Sequence, residues 1–188
     1  MWEFVFKVGN QIYYRTILES IQCKEIKKNG HRCKNHVVIG LPYCYSHSKY
    51  FHQLTIKKSL IPNAGNGLYC NNPMKPDNEI IFKKGQLITK YYGEIIDEAE
   101  VVERYADKTP PYVVKLSNNR FEDGAKHRGI GALANTSPGN NNATISVSNN
   151  GASIKATKNI RNGQEIYLSY GRAYQLNQPN VSSKTVKK

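Results

Sequence analysis

No apolar run in this chain of 188 residues reaches the length of a bilayer span, and the run nearest the start, Trp2 to Val8, is short and interrupted by Glu3 and Lys7. Neither a secretory leader nor a membrane anchor is therefore expected, which places the protein in the nucleus or the cytoplasm, away from membranes. Cysteine is scarce, with 4 in all, and without a leader such thiols point to metal binding or free thiols ahead of disulfides. Acidic residues are few, 14 against 27 Lys and Arg, leaving a net charge of +13. No long biased tract occurs, and 39% hydrophobic residues suffice for one domain with a core, alone or beside one small module.

What is present in quantity is tyrosine and lysine. The 13 tyrosines, many beside Val, Ile or Phe, favour strands. The positive charge is uneven: residues 1–52 hold 8 basic and 3 acidic residues, 53–171 hold 15 and 11, and 172–188 hold 4 and none. Excess lysine serves solubility, but it also attracts polyanions, so the two ends are the expected contacts for DNA or a nucleosome. The Asn- and Lys-rich composition fits an AT-rich genome, such as that of a large DNA virus or a protist.

Residues 1–22 are an N-terminal segment with alternating aromatics at Trp2, Phe4 and Phe6 and a second alternation at Ile12 and Tyr14. Two short strands satisfy it, and so does a strand with a helical turn. Residues 23–50 contain Cys23, Cys33, Cys44 and His47. Three thiols and one imidazole form a complete tetrahedral set for Zn2+, and Cys44-x-x-His47 has the tight spacing that lets two ligands converge on one ion. The step from Cys23 to Cys33 is looser, and His31 and His36 are alternatives to His47. Four protein ligands leave no open position, so the metal's role would be structural, supplying folding free energy to a segment poor in apolar residues. The run resembles the small three-Cys, one-His zinc knuckles of large-virus and protist proteins. Cys70 lies outside the cluster at an expected strand end and reads as a free core thiol.

Residues 51–174 hold the larger unit. Leu54 to Ile56 reads as a strand, and Gly65-Asn66-Gly67 as a turn whose two glycines let the backbone approach a ligand closely, although such a pair alone marks a plain turn. Asn71 to Asn78 is a loop; Leu87 and Ile88 are apolar positions ahead of Tyr91-Tyr92-Gly93-Glu94. Asp97 to Asp107 is a short exposed helix ended by Pro110 and Pro111, followed by a strand over Tyr112 to Leu116, a turn at Ser117 to Arg120 and a second strand end at Phe121 to Gly124. Further on, Ile154 and Ala156 alternate with Lys155, and Ile166, Leu168 and Tyr170 alternate with Tyr167 and Ser169, which predicts two short strands around a tight turn at Arg161-Asn162-Gly163. Read alone, Tyr170 is a packing tyrosine at a strand end. Residues 175–188 are a flexible basic tail.

From Leu54 to Gly171 the order is Gly65-x-Gly67, then Gly85 through Tyr91-x-Gly93-Glu94-x-Ile96, then Asn135-Thr136-Ser137, then Ile160-x-x-Gly163-Gln164-Glu165 closing on Tyr170-Gly171. This stretch resembles a SET domain, the catalytic module of protein lysine methyltransferases. The resemblance implies a mainly β fold of small sheets, with a knot-like crossing that brings the Asn135 segment beside the Tyr170 segment, here preceded by the small zinc knuckle. It implies S-adenosylmethionine-dependent N-methylation of a lysine on a protein substrate, with a histone favoured. Carried over residue by residue, Tyr170 and Tyr91 are catalytic and orient the amine and the methyl group. The backbone of Gly65, Asn66 and Gly67 would hold the amino-acid part of the cofactor, with Asn135 and Thr136 near it and Tyr112 as a further contact. Leu168 stands where relatives often have Phe or Tyr, and a leucine there leaves a pocket that permits more than one methylation.

The chain also departs from the family pattern. Thr136 replaces a histidine, Pro138 replaces a cysteine, and no cysteine cluster follows Gly171, so the channel must close otherwise, through Arg172 to Leu176. The family's Pro-Asn pair lands on Asn140-Asn141, or with one extra residue puts its asparagine at Asn142. Thr136 supports a second reading, a catalytically inactive SET-like binding module. The basic zinc segment supports a third, a chromatin or nucleic-acid binder; Tyr91, Asn135 and Tyr170 support the enzyme.

Overall fold

The computed structural model describes residues 2–8, 11–18, 20–38, 41–106 and 110–170. Strands β1 (Trp2–Val8) and β2 (Gln11–Leu18) form an antiparallel hairpin, the two-strand form of the N-terminal segment. β3 (Ser20–Gln22) pairs with β4 (His36–Val38), folding the intervening chain, with Cys23 and Cys33, back on itself. Helix α1 (Tyr45–Phe51) has Cys44 as its N-cap, runs through the expected boundary at residue 50 and packs against β5 (Leu54–Lys58). β5 is the hairpin partner of β6 (Asn66–Cys70), which ends on the fully buried Cys70.

After the loop at 71–79 come β7 (Ile80–Phe82), β8 (Leu87–Lys90) and β9 (Glu94–Ile96). Ile88 is buried, whereas Leu87 is 50% exposed, so only one of the two expected apolar positions faces the core, as the two-residue period of a strand requires. Helix α2 (Glu98–Tyr105) starts where the Asp97 side chain accepts the Glu100 N–H at 2.9 Å. It stops at Ala106, in left-handed territory at φ 52°, ahead of the two prolines expected to end it. β10 (Val113–Ser117) and β11 (Arg120–Asp123) form the next hairpin, and β9 adds to β11. A 3-10 turn over Ile130–Leu133 leads to β12 (Ala143–Ser148) and β13 (Gly151–Ala156), the latter antiparallel to both β12 and β8.

Of the two strands expected around the Arg161-Asn162-Gly163 turn, the first is the end of β13 and the second is the shorter β15 (Leu168–Ser169), which lies parallel to β12, with Tyr170 just beyond its end; between them β14 (Ile160–Arg161) pairs with β7. The cause lies in what the chain meets after Gly163, at φ 87°. Gly163 N–H donates to Cys70 O at 2.9 Å, Cys70 N–H to Gln164 O at 2.9 Å, and Ile166 N–H to Leu68 O at 2.7 Å, so β6 captures the segment. Its far side is bound too: Leu168 N–H donates to Asn135 O at 2.7 Å, and the Asn142 and Ala143 N–H groups to Tyr167 O at 3.0 Å. Residues 164–170 thus thread between β6 and the Asn135 and β12 segments, which is the expected crossing.

Leu54, Leu68, Ile130, Ile154, Ile160, Ile166 and Leu168 are fully buried around this thread, and each such side chain contributes about 1.5–3 kcal/mol on leaving water. The 71–79 loop is fastened by Asn162, whose amide donates to the carbonyls of Asn72, Lys75 and Pro76 at 3.0, 2.9 and 3.2 Å. No helix among the described residues is long and apolar enough to cross a membrane. Gly171, the Arg172 to Leu176 segment and the basic tail at 175–188 lie outside the described residues.

Candidate active site and metal centre

The chain just after β8, β10, the 3-10 turn, β12 and β15 converge on a cleft, open to solvent, whose walls include Tyr91, Tyr112, Ala134, Ile145, Leu168 and Tyr170. The hydroxyls of Tyr91 and Tyr170 are held in the same way. Tyr91 Oη donates to Tyr112 O at 3.0 Å and Tyr170 Oη donates to Ala134 O at 2.8 Å, and both acceptors belong to residues lining the cleft. A phenol that gives its proton to a carbonyl keeps its oxygen lone pairs for a guest. Burial, with Tyr170 and Tyr112 close by, pushes the Tyr91 phenol well above its ordinary range, so it stays neutral.

Tyr91 is fixed from behind. The buried Glu122 accepts Gly93 N–H at 2.9 Å and Ala152 N–H at 2.6 Å, tying the turn after Tyr91 to β13. Gly129 passes so close that a Cβ there would stand 2.2 Å from Tyr91 O. Beneath Tyr112 lies the guanidinium of Arg128, 3.9 Å from the ring centroid and donating to Gly124 O and Ala125 O. Asp123, fully buried, accepts from Arg104 at 3.0 Å, Tyr105 at 2.9 Å and the Ala125 N–H at 2.8 Å.

The turn expected at Gly65-Asn66-Gly67 lies just before it, at residues 60–63, and Asn66 and Gly67 already belong to β6. At this start of β6, Asn135 Nδ2 donates to Asn66 O at 2.9 Å and to Glu165 Oε1 at 3.3 Å. Glu165 is the hub: it also accepts from Ser59 Oγ at 2.7 Å, Leu60 N–H at 2.8 Å, Tyr167 Oη at 2.9 Å and Tyr69 Oη at 3.1 Å. Burial alone would raise its carboxyl, but these donors, Leu60 N–H foremost, hold it below the ordinary range. Burial and the Glu165 bond push both Tyr69 and Tyr167 up to about 12. A Cβ on Gly67 would stand 2.0 Å from Glu165 Oε1, so only glycine lets the carboxylate reach Asn135 here.

A sequence profile of the SET domain matches residues 65–171, the span that carries these groups except Ser59 and Leu60. The chain belongs to the SET-domain family. Among solved structures, this chain is similar to ctPRC2 in an autoinhibited conformation bound to S-adenosylmethionine, with a TM-score of 0.50 and 22% identity over 64% of this chain and 15% of that one. The likeness is one of fold, and this chain spans only a small part of the other's length. No curated protein sequence matches it.

Within the SET domain, Tyr91, Tyr112, Leu168 and Tyr170 share the cleft, while Asn66, Gly67 and Asn135 meet at the start of β6, which Gly65 precedes. Thr136 follows Asn135, half-buried, with no side-chain hydrogen bond among the described residues. Of the two asparagines aligned with the family's Pro-Asn pair, Asn142 grips the threaded segment, accepting Tyr167 N–H and donating to Glu165 O, both at 2.9 Å, whereas Asn141 closes a local turn on Ser137. Glu165, Glu122, Asp123 and Arg128 were assigned no role from the sequence: Glu165 stands in a motif without one, and the signal of the other three is charge set among small and apolar neighbours, as in Glu122 beside Phe121.

Next to the SET domain, Cys23, Cys33, Cys44 and His47 bring their ligand atoms within 4.8 Å of one another. His47 Nδ1 lies 3.2 Å from Cys44 Sγ and 3.6 Å from Cys23 Sγ, close to the roughly 3.5 Å between sulfur and nitrogen on a tetrahedral zinc. All three thiols are buried and free of disulfides, and the exposed His31 and His36 stand outside the cluster. Burial would raise the Cys44 thiol, yet donors led by the Asn35 amide bring it below its ordinary value, while burial raises Cys23. The donor set fits a closed, structural zinc.

Proposed function

We propose that this chain is an S-adenosylmethionine-dependent protein lysine N-methyltransferase. The observation that carries this reading is the pair of tyrosine oxygens turned into one apolar cleft, each with its proton committed to a wall carbonyl. Such oxygens accept from an amine and align its lone pair without acting as bases, because Tyr91 stays neutral. When bound, the sulfonium cofactor supplies an electrophilic methyl group, released as the amine nitrogen forms the new N–C bond in line.

The residues at the start of β6 fit the amino-acid end of that cofactor. Gly65 and Asn66 are exposed, nothing lies within 4 Å of a Cβ on Gly65, and the Asn135 amide, anchored through Nδ2, leaves Oδ1 to accept from an α-ammonium. Gly67 and Thr136 flank that contact, and Tyr112 walls the cleft beside Tyr91 and Tyr170. The apolar Ile145 and Leu168 favour a neutral amine over an ammonium, since a dry wall penalises charge. Leu168 adds no hydroxyl to hold a competing water, so the pocket accepts more than one methyl group. The substrate is a basic protein, a histone first among candidates, which suits a nuclear or cytoplasmic protein.

Calorimetry with S-adenosylmethionine tests the reading. Micromolar binding, lost in Asn135→Ala and kept in Tyr170→Phe, together with radiolabel transfer to histones that Tyr170→Phe abolishes, is the expected result. Absence of binding would favour the inactive module, the reading that Thr136, in place of the family's histidine, supports.

A further inference from the structure

Helix α1 presents something that neither the metal cluster nor the cleft uses. Phe51 stacks on Tyr43 with ring centroids 3.9 Å apart and planes within 10°, yet remains 50% exposed, and Tyr50 is 56% exposed with Lys49 Nζ 5.2 Å from its ring centre. Large aromatic rings left side by side in water mark a contact site. Their surroundings are cationic: residues 20–53 hold 6 Lys and Arg against the single acid Glu25. None of those cations forms an ion pair among the described residues; Arg32 donates only to the carbonyls of Gln22 and Cys23. Three thiolates on a zinc ion offset only about one of these charges.

We propose that the α1 face of the zinc module, centred on Tyr50 and Phe51, binds single-stranded nucleic acid. The Tyr43–Phe51 stack ends in an open ring face on which a base continues the stack, and Tyr50 offers a second ring one residue away. Lys49 and the unpaired lysines of the module neutralise the phosphates between bases. Stacking on aromatic faces within a basic surface tolerates any sequence and requires unpaired bases, because a duplex keeps its own ring faces covered. An acidic peptide would satisfy the lysines but leave the rings bare. The contact is independent of methyl transfer and stands or falls separately from it.

The test is fluorescence anisotropy of a labelled oligothymidylate of about 20 nucleotides, and of a duplex of equal length, against the full zinc-loaded chain at about 50 and about 200 mM salt. The single strand is expected to bind at least tenfold more tightly than the duplex, and more weakly at the higher salt. Tyr50→Ala, which removes an exposed ring, should weaken binding about tenfold, and Phe51→Leu, which keeps an apolar partner for Tyr43, by a similar factor. Lys49→Gln should flatten the salt dependence. Zinc content and melting temperature confirm that each variant is folded. Folded variants that bind as the parent does, a preference for duplex, equal capture of polyglutamate, or no binding at the lower salt would each overturn the proposal.

Discussion

The Glu165 carboxylate, 3% exposed, gathers five donors from residues as distant in sequence as Ser59 and Asn135. Glu165→Gln turns one acceptor into a donor facing donors, and the expected cost is about 2–4 kcal/mol, read as a lower urea midpoint at neutral pH. Because the folded carboxyl titrates below its ordinary value, its stabilisation is complete above the unfolded Glu pKa of about 4.3 and disappears as pH falls through the folded value. The gap between parent and variant should therefore narrow on acidification below about pH 4; a constant gap would assign the loss to packing. Leu168 is a second case: it is buried and lines the cleft, so Leu168→Tyr, which adds the hydroxyl that holds a competing water, should shift products toward the monomethyl form by mass spectrometry, and unchanged multiple methylation would refute the pocket argument. Tyr91, Asn135 and Tyr170 were legible because each stands in a motif of fixed order. Glu165 was visible in its motif, but its role depends on Ser59, Tyr69 and Gly67, which only folding brings to it.

Among the elements, α1 belongs to two structures at once. Its N-cap is the ligand Cys44 and its body packs on β5, so Cys23, Cys33, Val37, Leu41 and Cys44 join Leu54 in one apolar cluster. Metal binding should therefore stabilise the neighbouring sheet as well as the knuckle. One zinc per chain is expected by metal analysis, and a strong chelator or Cys44→Ser should lower the melting temperature of the whole chain. A loss confined to a separate early transition would instead show an uncoupled module. The knuckle was readable from ligand spacing alone, although its three histidines could be told apart only by geometry. Local hairpins such as β10 with β11 were legible from alternation. The pairing of β15 with β12 was not, because a parallel contact leaves no mark on the turn between its strands.

For the whole molecule, the threaded segment 164–170 is the closing piece. It satisfies β6 on one side and Asn135 and β12 on the other, and it carries Glu165, Leu168 and Tyr170. A chain shortened after Gly163 should lack a cooperative thermal transition and bind hydrophobic dyes, since Leu54, Leu68 and Ile154 lose their cover. A sharp melt in that truncation would place the core elsewhere. The order of SET motifs revealed the architecture from sequence, yet nothing local announces that the last stretch must pass between two others formed earlier.

That threading bears on how the protein is made. Translation delivers β5 and β6 about a hundred residues before the segment that seals them, as the span from Ser59 to Glu165 requires. Until residue 170 emerges from the ribosome, the nascent chain holds Ser59, Tyr69 and an open β6 edge with no native partner. Such an edge is a template for mispairing with other chains. Synthesis rate and chaperone supply, rather than the stability of the finished fold, should then limit the yield of protein in cells.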